Sequence, residues 1–205
     1  MIQQLSRTET PGDLESWEDL GPVLTSESGD HFNAIDPHVF QDGNKWWIAF
    51  GSHWDGIKLQ ELNDMTEPIG DIHSLASRPD VESNPIEAPT IFKKGEFYYL
   101  LTSWDTCCSG IDSTYKVAMG RATSVTGPYV YKDGNRLDEG GGTVILGSES
   151  NQIGPGGQDV YEKFGKYYMI HHYYDGDADG VIRMQIRHME WKDGWPYFRR
   201  TGCKC

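Results

Sequence analysis

Two carboxylates open similar stretches of this 205-residue chain. In Asn33-Ala34-Ile35-Asp36-Pro37-His38-Val39-Phe40, Asp36 sits against a proline and apolar residues follow. In Ile86-Glu87-Ala88-Pro89-Thr90-Ile91-Phe92, Glu87 opens a comparable run. Carboxylates distant in sequence but brought to one cavity can do general acid–base chemistry. One must stay protonated to serve as an acid, and a second negative charge beside it raises its pKa. The grammar returns a third time at Gly157-Gln158-Asp159-Val160-Tyr161, with Gly156 and Gly157 in the acid positions. Asp159 on this third run is read as structural, with a catalytic carboxylate as the alternative.

Each of these runs leads through a turn into an aromatic strand. Asp42-Gly43-Asn44 precedes Trp46-Trp47-Ile48-Ala49-Phe50, Lys94-Gly95-Glu96 precedes Phe97-Tyr98-Tyr99-Leu100-Leu101, and Gly165 precedes Tyr167-Tyr168-Met169-Ile170. Short strands bounded by Gly, Asp and Asn turns predict an all-β chain. A unit of several strands recurring every ~50–70 residues predicts a β-propeller, whose blades each start on a strand lining the central channel. That placement brings Asp36 and Glu87 to one channel mouth. Pro37 and Pro89 agree with it, since proline belongs at a strand's first residue or at a bulge. The expected division is residues 1–32 as the end of a preceding blade and a linker, then blades at 33–85, 86–156 and 157–205, the last with a C-terminal tail. Within it, 16–24 is expected as a strand without an earlier partner, 63–83 as a polar connector and 126–156 as a long loop.

Composition narrows the partners. The net charge of −13 argues against nucleic acid, whose phosphates demand a basic face, and against anionic membranes. No apolar run is long enough for a transmembrane helix, and the N-terminus lacks the apolar core of a signal peptide. Of the four cysteines, Cys107 and Cys108 are adjacent, and Cys203 and Cys205 lie at the C-terminus. This spacing is wrong for a structural zinc site. Cys107 and Cys108 are either free thiols in a tight loop or a strained vicinal disulfide. Asp175-Gly176-Asp177-Ala178-Asp179-Gly180 imitates a calcium loop, but Ile186 stands where a bidentate Glu is needed, so a hairpin turn is expected. Trp54, Trp104 and Tyr173 follow the second strands of their units. They are candidate sugar-stacking platforms, with packing between blades as the alternative.

These residues resemble the fungal endo-1,5-α-L-arabinanases of glycoside hydrolase family 43. The similarity runs from Trp17 to about Trp195 through Asn33-Ala34-Ile35-Asp36-Pro37, Gly51-Ser52-His53-Trp54-Asp55-Gly56-Ile57, Ile86-Glu87-Ala88-Pro89, Ser124-Val125-Thr126-Gly127-Pro128-Tyr129, Gly154-Pro155-Gly156-Gly157 and His172-Tyr173-Tyr174-Asp175. Its most specific part is Cys107-Cys108-Ser109-Gly110-Ile111-Asp112-Ser113-Thr114-Tyr115, which separates arabinanases from xylosidases. The resemblance implies a five-bladed propeller, of which about three blades plus part of another are present. It implies a secreted enzyme that hydrolyses the α-1,5 linkages of arabinan, in pectin side chains, with inversion. Glu87 would be the general acid, and Asp36 the carboxylate that tunes its pKa and orients it. The general base would be an Asp upstream of the residues present, so this chain is expected to be N-terminally truncated and inactive alone. No cofactor is implied. A structural calcium at the channel centre is placed in doubt because Gly157 replaces the family's usual His. The alternatives are a non-catalytic arabinan-binding fragment, or a family 43 xylosidase or arabinofuranosidase.

Overall fold

The computed structural model describes residues 1–199; Cys203 and Cys205, and with them the zinc question, lie outside the described residues. The described chain is built from strands and four short 3₁₀ turns. Strands β1 (Ile2–Arg7) and β2 (Glu18–Thr25) form an antiparallel pair. Three four-stranded antiparallel sheets follow, each a meander in chain order. The first holds β3 (His38–Asp42), β4 (Lys45–Phe50), β5 (Ile57–Asn63) and β6 (Glu67–Ala76). The second holds β7 (Ile86–Lys94), β8 (Phe97–Trp104), β9 (Lys116–Ala122) and β10 (Thr143–Leu146). The third holds β11 (Gln152–Lys163), β12 (Lys166–Asp175), β13 (Val181–Lys192) and β14 (Trp195–Tyr197).

The all-β architecture matches expectation, but three local expectations fail. The strand at 16–24 does have an earlier partner, β1. The polar connector at 63–83 contains β6, and the long loop at 126–156 contains β10. Both strands are edges with interrupted ladders. Pro68 and Gly70 break the sequence pattern of β6, and only its end, at Leu75 and Ala76, is buried. An edge strand packs on few neighbours, so it carries little of the periodicity that reveals a central one.

Strand β8 explains how the sheets stack. Its sequence is almost continuously apolar because it is covered on both faces. Tyr98 and Leu100 enter a core with Trp47, Ala49, Ile57 and Leu59 of the first sheet. The alternate residues, Tyr99 and Leu101, enter a core with Met169, Met189 and Trp195 of the third. The other face of the first sheet takes Leu24 of β2 against Ile48 and Phe50. The first strands of the three sheets stand side by side. His38 Nε2 donates to the Ile91 carbonyl (2.9 Å), and the Thr90 hydroxyl donates to the Gln158 carbonyl (2.7 Å). Sheets packed face to face with their first strands innermost form a propeller-type arrangement. The outward face of the third sheet is apolar: Ile182, Met184 and Ile186 alternate along β13 and are 65, 71 and 58 % exposed.

Candidate functional site

The pairing register gives the site its geometry. His38 pairs with Ala49, Thr90 with Leu101, and Asp159 with Ile170. Two residues before His38, Thr90 and Asp159 stand Asp36, Ala88 and Gly157, all in the left-handed region with φ of 56, 50 and 56°. The structural equivalent of Asp36 is therefore Ala88, and Glu87 lies one residue earlier. The two carboxylates do not share a register position, contrary to the sequence reading. They meet because the left-handed residue turns the chain before each strand. Non-glycine residues held there cost free energy, and such strain collects at functional sites.

Asp36 and Glu87 are brought together through the Ala88 peptide. Asp36 Oδ2 accepts the Ala88 N–H at 3.0 Å, pinning the peptide next to Glu87. Both Glu87 oxygens are held by hydroxyls: Ser52 donates to Oε2 at 2.8 Å, and Tyr115 donates to Oε1 at 2.5 Å. Burial, chiefly, pushes the Asp36 carboxyl above the usual carboxylate range; the Ala88 N–H opposes this, and the charge of Glu87 adds to it. Sequence reasoning assigned no role to Ser52 or Tyr115, although both lie inside motifs it singled out.

Glu87 lines a hollow of about 460 Å³ with His53, Ser83, Asp105, Thr106 and Cys107. Across His53 and Ser83 this hollow meets a larger one, about 700 Å³, walled by Trp54 and the loop from Ser77 to Asn84. His53 Nδ1 donates to the Ser83 carbonyl at 2.8 Å, and Asn84 Nδ2 donates to the Trp54 carbonyl at 2.7 Å. These bonds hold the shared wall. Cys107 and Cys108 are joined in a disulfide at the edge of the Glu87 hollow. The Cys108 N–H donates to the Tyr174 hydroxyl at 2.9 Å, tying this loop to β12.

The three aromatic candidates separate. Trp54 is 40 % exposed and faces the larger hollow. Trp104 is buried in the core between the first and second sheets, with the Arg78 guanidinium 4.5 Å over its ring. Its faces are already covered, so it is not a stacking platform. Tyr173 is half-buried on β12, away from both hollows. Asp159 is exposed and lies 3.9 Å from His38. The Asp175–Gly180 segment is the hairpin turn between β12 and β13, with Asp175 accepting from Asp177 N–H and Arg183.

At the channel centre, Gly157 offers no side chain. Gln158 is buried with its amide committed at both ends: Oε1 accepts from Ser103 at 2.7 Å and Nε2 donates to the Ala88 carbonyl at 2.6 Å. Both ends of the Gln158 amide are thus engaged within the protein, and Gly157 supplies no side-chain ligand. Among the described residues, no group of three or more His, Cys, Asp or Glu side chains could hold a metal ion.

Comparison with known proteins shows the family. The model of glycosyl hydrolases family 43 matches residues 7–196. The extracellular endo-α-(1→5)-L-arabinanase 1 of Bacillus subtilis (strain 168) is 42 % identical over 185 residues, 89 % of this chain and 56 % of its own length. The extracellular exo-α-(1→5)-L-arabinofuranosidase of Cellvibrio japonicus (strain Ueda107) is 38 % identical over 194 residues, 88 % of this chain and 56 % of its own. The solved endo-arabinanase of Bacillus licheniformis superposes with a TM-score of 0.87 at 42 % identity, covering 95 % of this chain and 67 % of that one. The chain thus spans about half the length of these curated relatives.

Proposed function

The chain belongs to glycosyl hydrolase family 43, and on that premise we propose that it supplies the acid half of an inverting hydrolase acting on α-1,5-linked L-arabinofuranosyl chains. The observation that carries the reading is Glu87 at a hollow that opens toward Trp54, with Asp36 bonded to the peptide that follows it. Glu87 is the general acid that protonates the leaving oxygen. Asp36 orients it by accepting the Ala88 N–H, which fixes the peptide that follows Glu87. An inverting enzyme also needs a base across the sugar, with room for a water between the two groups. We assign that base to a segment outside these 205 residues, in keeping with the greater length of the relatives.

On this reading the three sheets are blades of a five-bladed propeller, at 33–85, 86–156 and 157–205, and residues 1–32 end a preceding blade. The apolar face of Ile182, Met184 and Ile186 receives a further blade. Trp54 stacks on the glycan in the larger hollow. No cofactor takes part. The substrate is arabinan, including pectin side chains, and the protein works outside the cell, where the Cys107–Cys108 disulfide persists. Supporting this, the two curated relatives are named extracellular, and no helix among the described residues is long and apolar enough to cross a membrane.

The test is a digest of linear arabinan by the protein extended to the length of its relatives, with product sizes separating endo from exo cleavage. Glu87→Gln should lower the rate on arabinan by roughly 10²–10⁴-fold. It should lose far less on an activated aryl arabinoside, whose leaving group needs no proton. Equal losses on both substrates would remove Glu87 from the acid role.

A further inference from the structure

We propose that Tyr115 is a positioning residue for the acid, holding Glu87 Oε1 with its hydroxyl, and that Gly156 and Gly157 exist to seat the aromatic pair that fixes this tyrosine. The inference rests on the reading of Glu87 as the working acid. The Tyr115 hydroxyl donates to Oε1, and its ring is 3 % exposed. Its ring stacks on His172 with centroids 5.9 Å apart and planes 24° from parallel. Both rings rest where a side chain of the third sheet would otherwise project. A Cβ on Gly156 would lie 2.1 Å from the Tyr115 ring, and one on Gly157 would lie 2.9 Å from His172 Nδ1. The glycines that replace acids in the third unit are thus the room for the support of the second unit's acid.

The donor cannot readily be lost to ionisation. Burial first, and then the bond to Glu87, push the Tyr115 hydroxyl far above the ordinary phenol range. Burial lowers His172 below the ordinary imidazole range, so the ring under Tyr115 is neutral near pH 7. With a ring-fixed donor at Oε1, the transferable proton rides on Oε2, where the Ser52 hydroxyl can turn from donor to acceptor. The other titratable groups facing Glu87 are Asp36, His53, Glu82 and Asp105. Asp105 is held by Arg78 and Lys116, each at 2.5 Å.

The test needs no hydrolysis, so its failure and that of the hydrolase reading are distinguishable. The 205-residue chain is labelled with ¹³C at glutamate carboxyls, and Glu87→Gln identifies the Glu87 signal. Removing a donor to the carboxylate disfavours the charged form. Tyr115→Phe should therefore move the Glu87 titration midpoint upward by about half a unit or more. Gly156→Ala should move it the same way with the hydroxyl still present, because the ring is displaced. Tyr129→Phe, which removes a buried hydroxyl bonded to the Val125 carbonyl, should leave it in place. Tyr115→Phe keeps the ring and its stacking, so it carries the test even if Gly156→Ala does not fold. An unmoved midpoint in Tyr115→Phe, with a native circular dichroism spectrum, overturns the proposal.

Discussion

Asp36 is the residue whose cost shows how the site is built. Its carboxyl is held above the usual range, so the folded chain binds its proton more tightly than the unfolded chain. Stability then falls as pH rises from the unfolded value, near 4, through the folded one, and Asp36 is a net burden at pH 7. Asparagine removes the charge but keeps an oxygen for the Ala88 N–H. Asp36→Asn should therefore raise the thermal midpoint at pH 7 and change it much less at pH 3.5, as followed by circular dichroism. A lower midpoint at pH 7 would mean that the ionised carboxylate is stabilised in the fold and would contradict this reading. The two tryptophans make a second contrast. Trp104→Ala empties a packed core site and should cost ~3–5 kcal/mol of stability. Trp54→Ala should leave stability within about 0.5 kcal/mol, as exposed positions do, and weaken arabino-oligosaccharide binding. Denaturant unfolding and calorimetric titration read the two effects. Which tryptophan faced solvent was not legible in the sequence, because both follow a second strand and only the sheet stacking tells them apart.

At the scale of elements, the pair β12–β13 carries a buried polar network. Arg187 donates through Nε to His171 Nε2 at 3.2 Å and through Nη2 to Gln152 Oε1, while His171 Nδ1 donates to the His172 carbonyl at 2.9 Å. This fixes His171 as the neutral Nδ1–H tautomer. Burial, mainly, lowers its pKa to about 4; the bond to the His172 carbonyl opposes this, and the adjacent Arg187 charge contributes to it. The unfolded chain therefore binds more protons between pH 6.5 and 4, and stability is lost as pH falls through that window. His171→Gln should flatten the slope of the unfolding free energy over pH 6.5–4, measured by urea denaturation; an unchanged slope would place the acid sensitivity elsewhere. The central strands β4, β8 and β12 were legible because aromatic runs between turns have few other readings. The edge strands β6 and β10 were not, since their residues do not alternate. The one-residue offset between Asp36 and Glu87 was also hidden. Both precede a proline closely, and only the ladder register shows that Ala88 is the partner of Asp36. Tyr115 and Ser52 were named within motifs but given no role, because their bonds to Glu87 cross between separate strands.

At the scale of the molecule, the proposed acid site is assembled at one end of the first two sheets and braced by the third. Ser52 follows β4, Asp36 precedes β3, Tyr115 precedes β9, and Gly156 and Gly157 lie on β11. The third sheet presents Ile182, Met184 and Ile186 to solvent. On the proposed inverting mechanism, which needs a base across the sugar from Glu87, we propose that a further sheet packs on this apolar face and brings that base to the channel. The most direct measurement is reducing-sugar release from linear α-1,5-arabinan by the 205-residue chain and by a form extended to the length of its relatives. Negligible release is expected from the first, robust release from the second, and loss of that release in Glu87→Gln. Robust release by the 205-residue chain, abolished by Glu87→Gln, would contradict the proposed division of acid and base by placing the base within these residues.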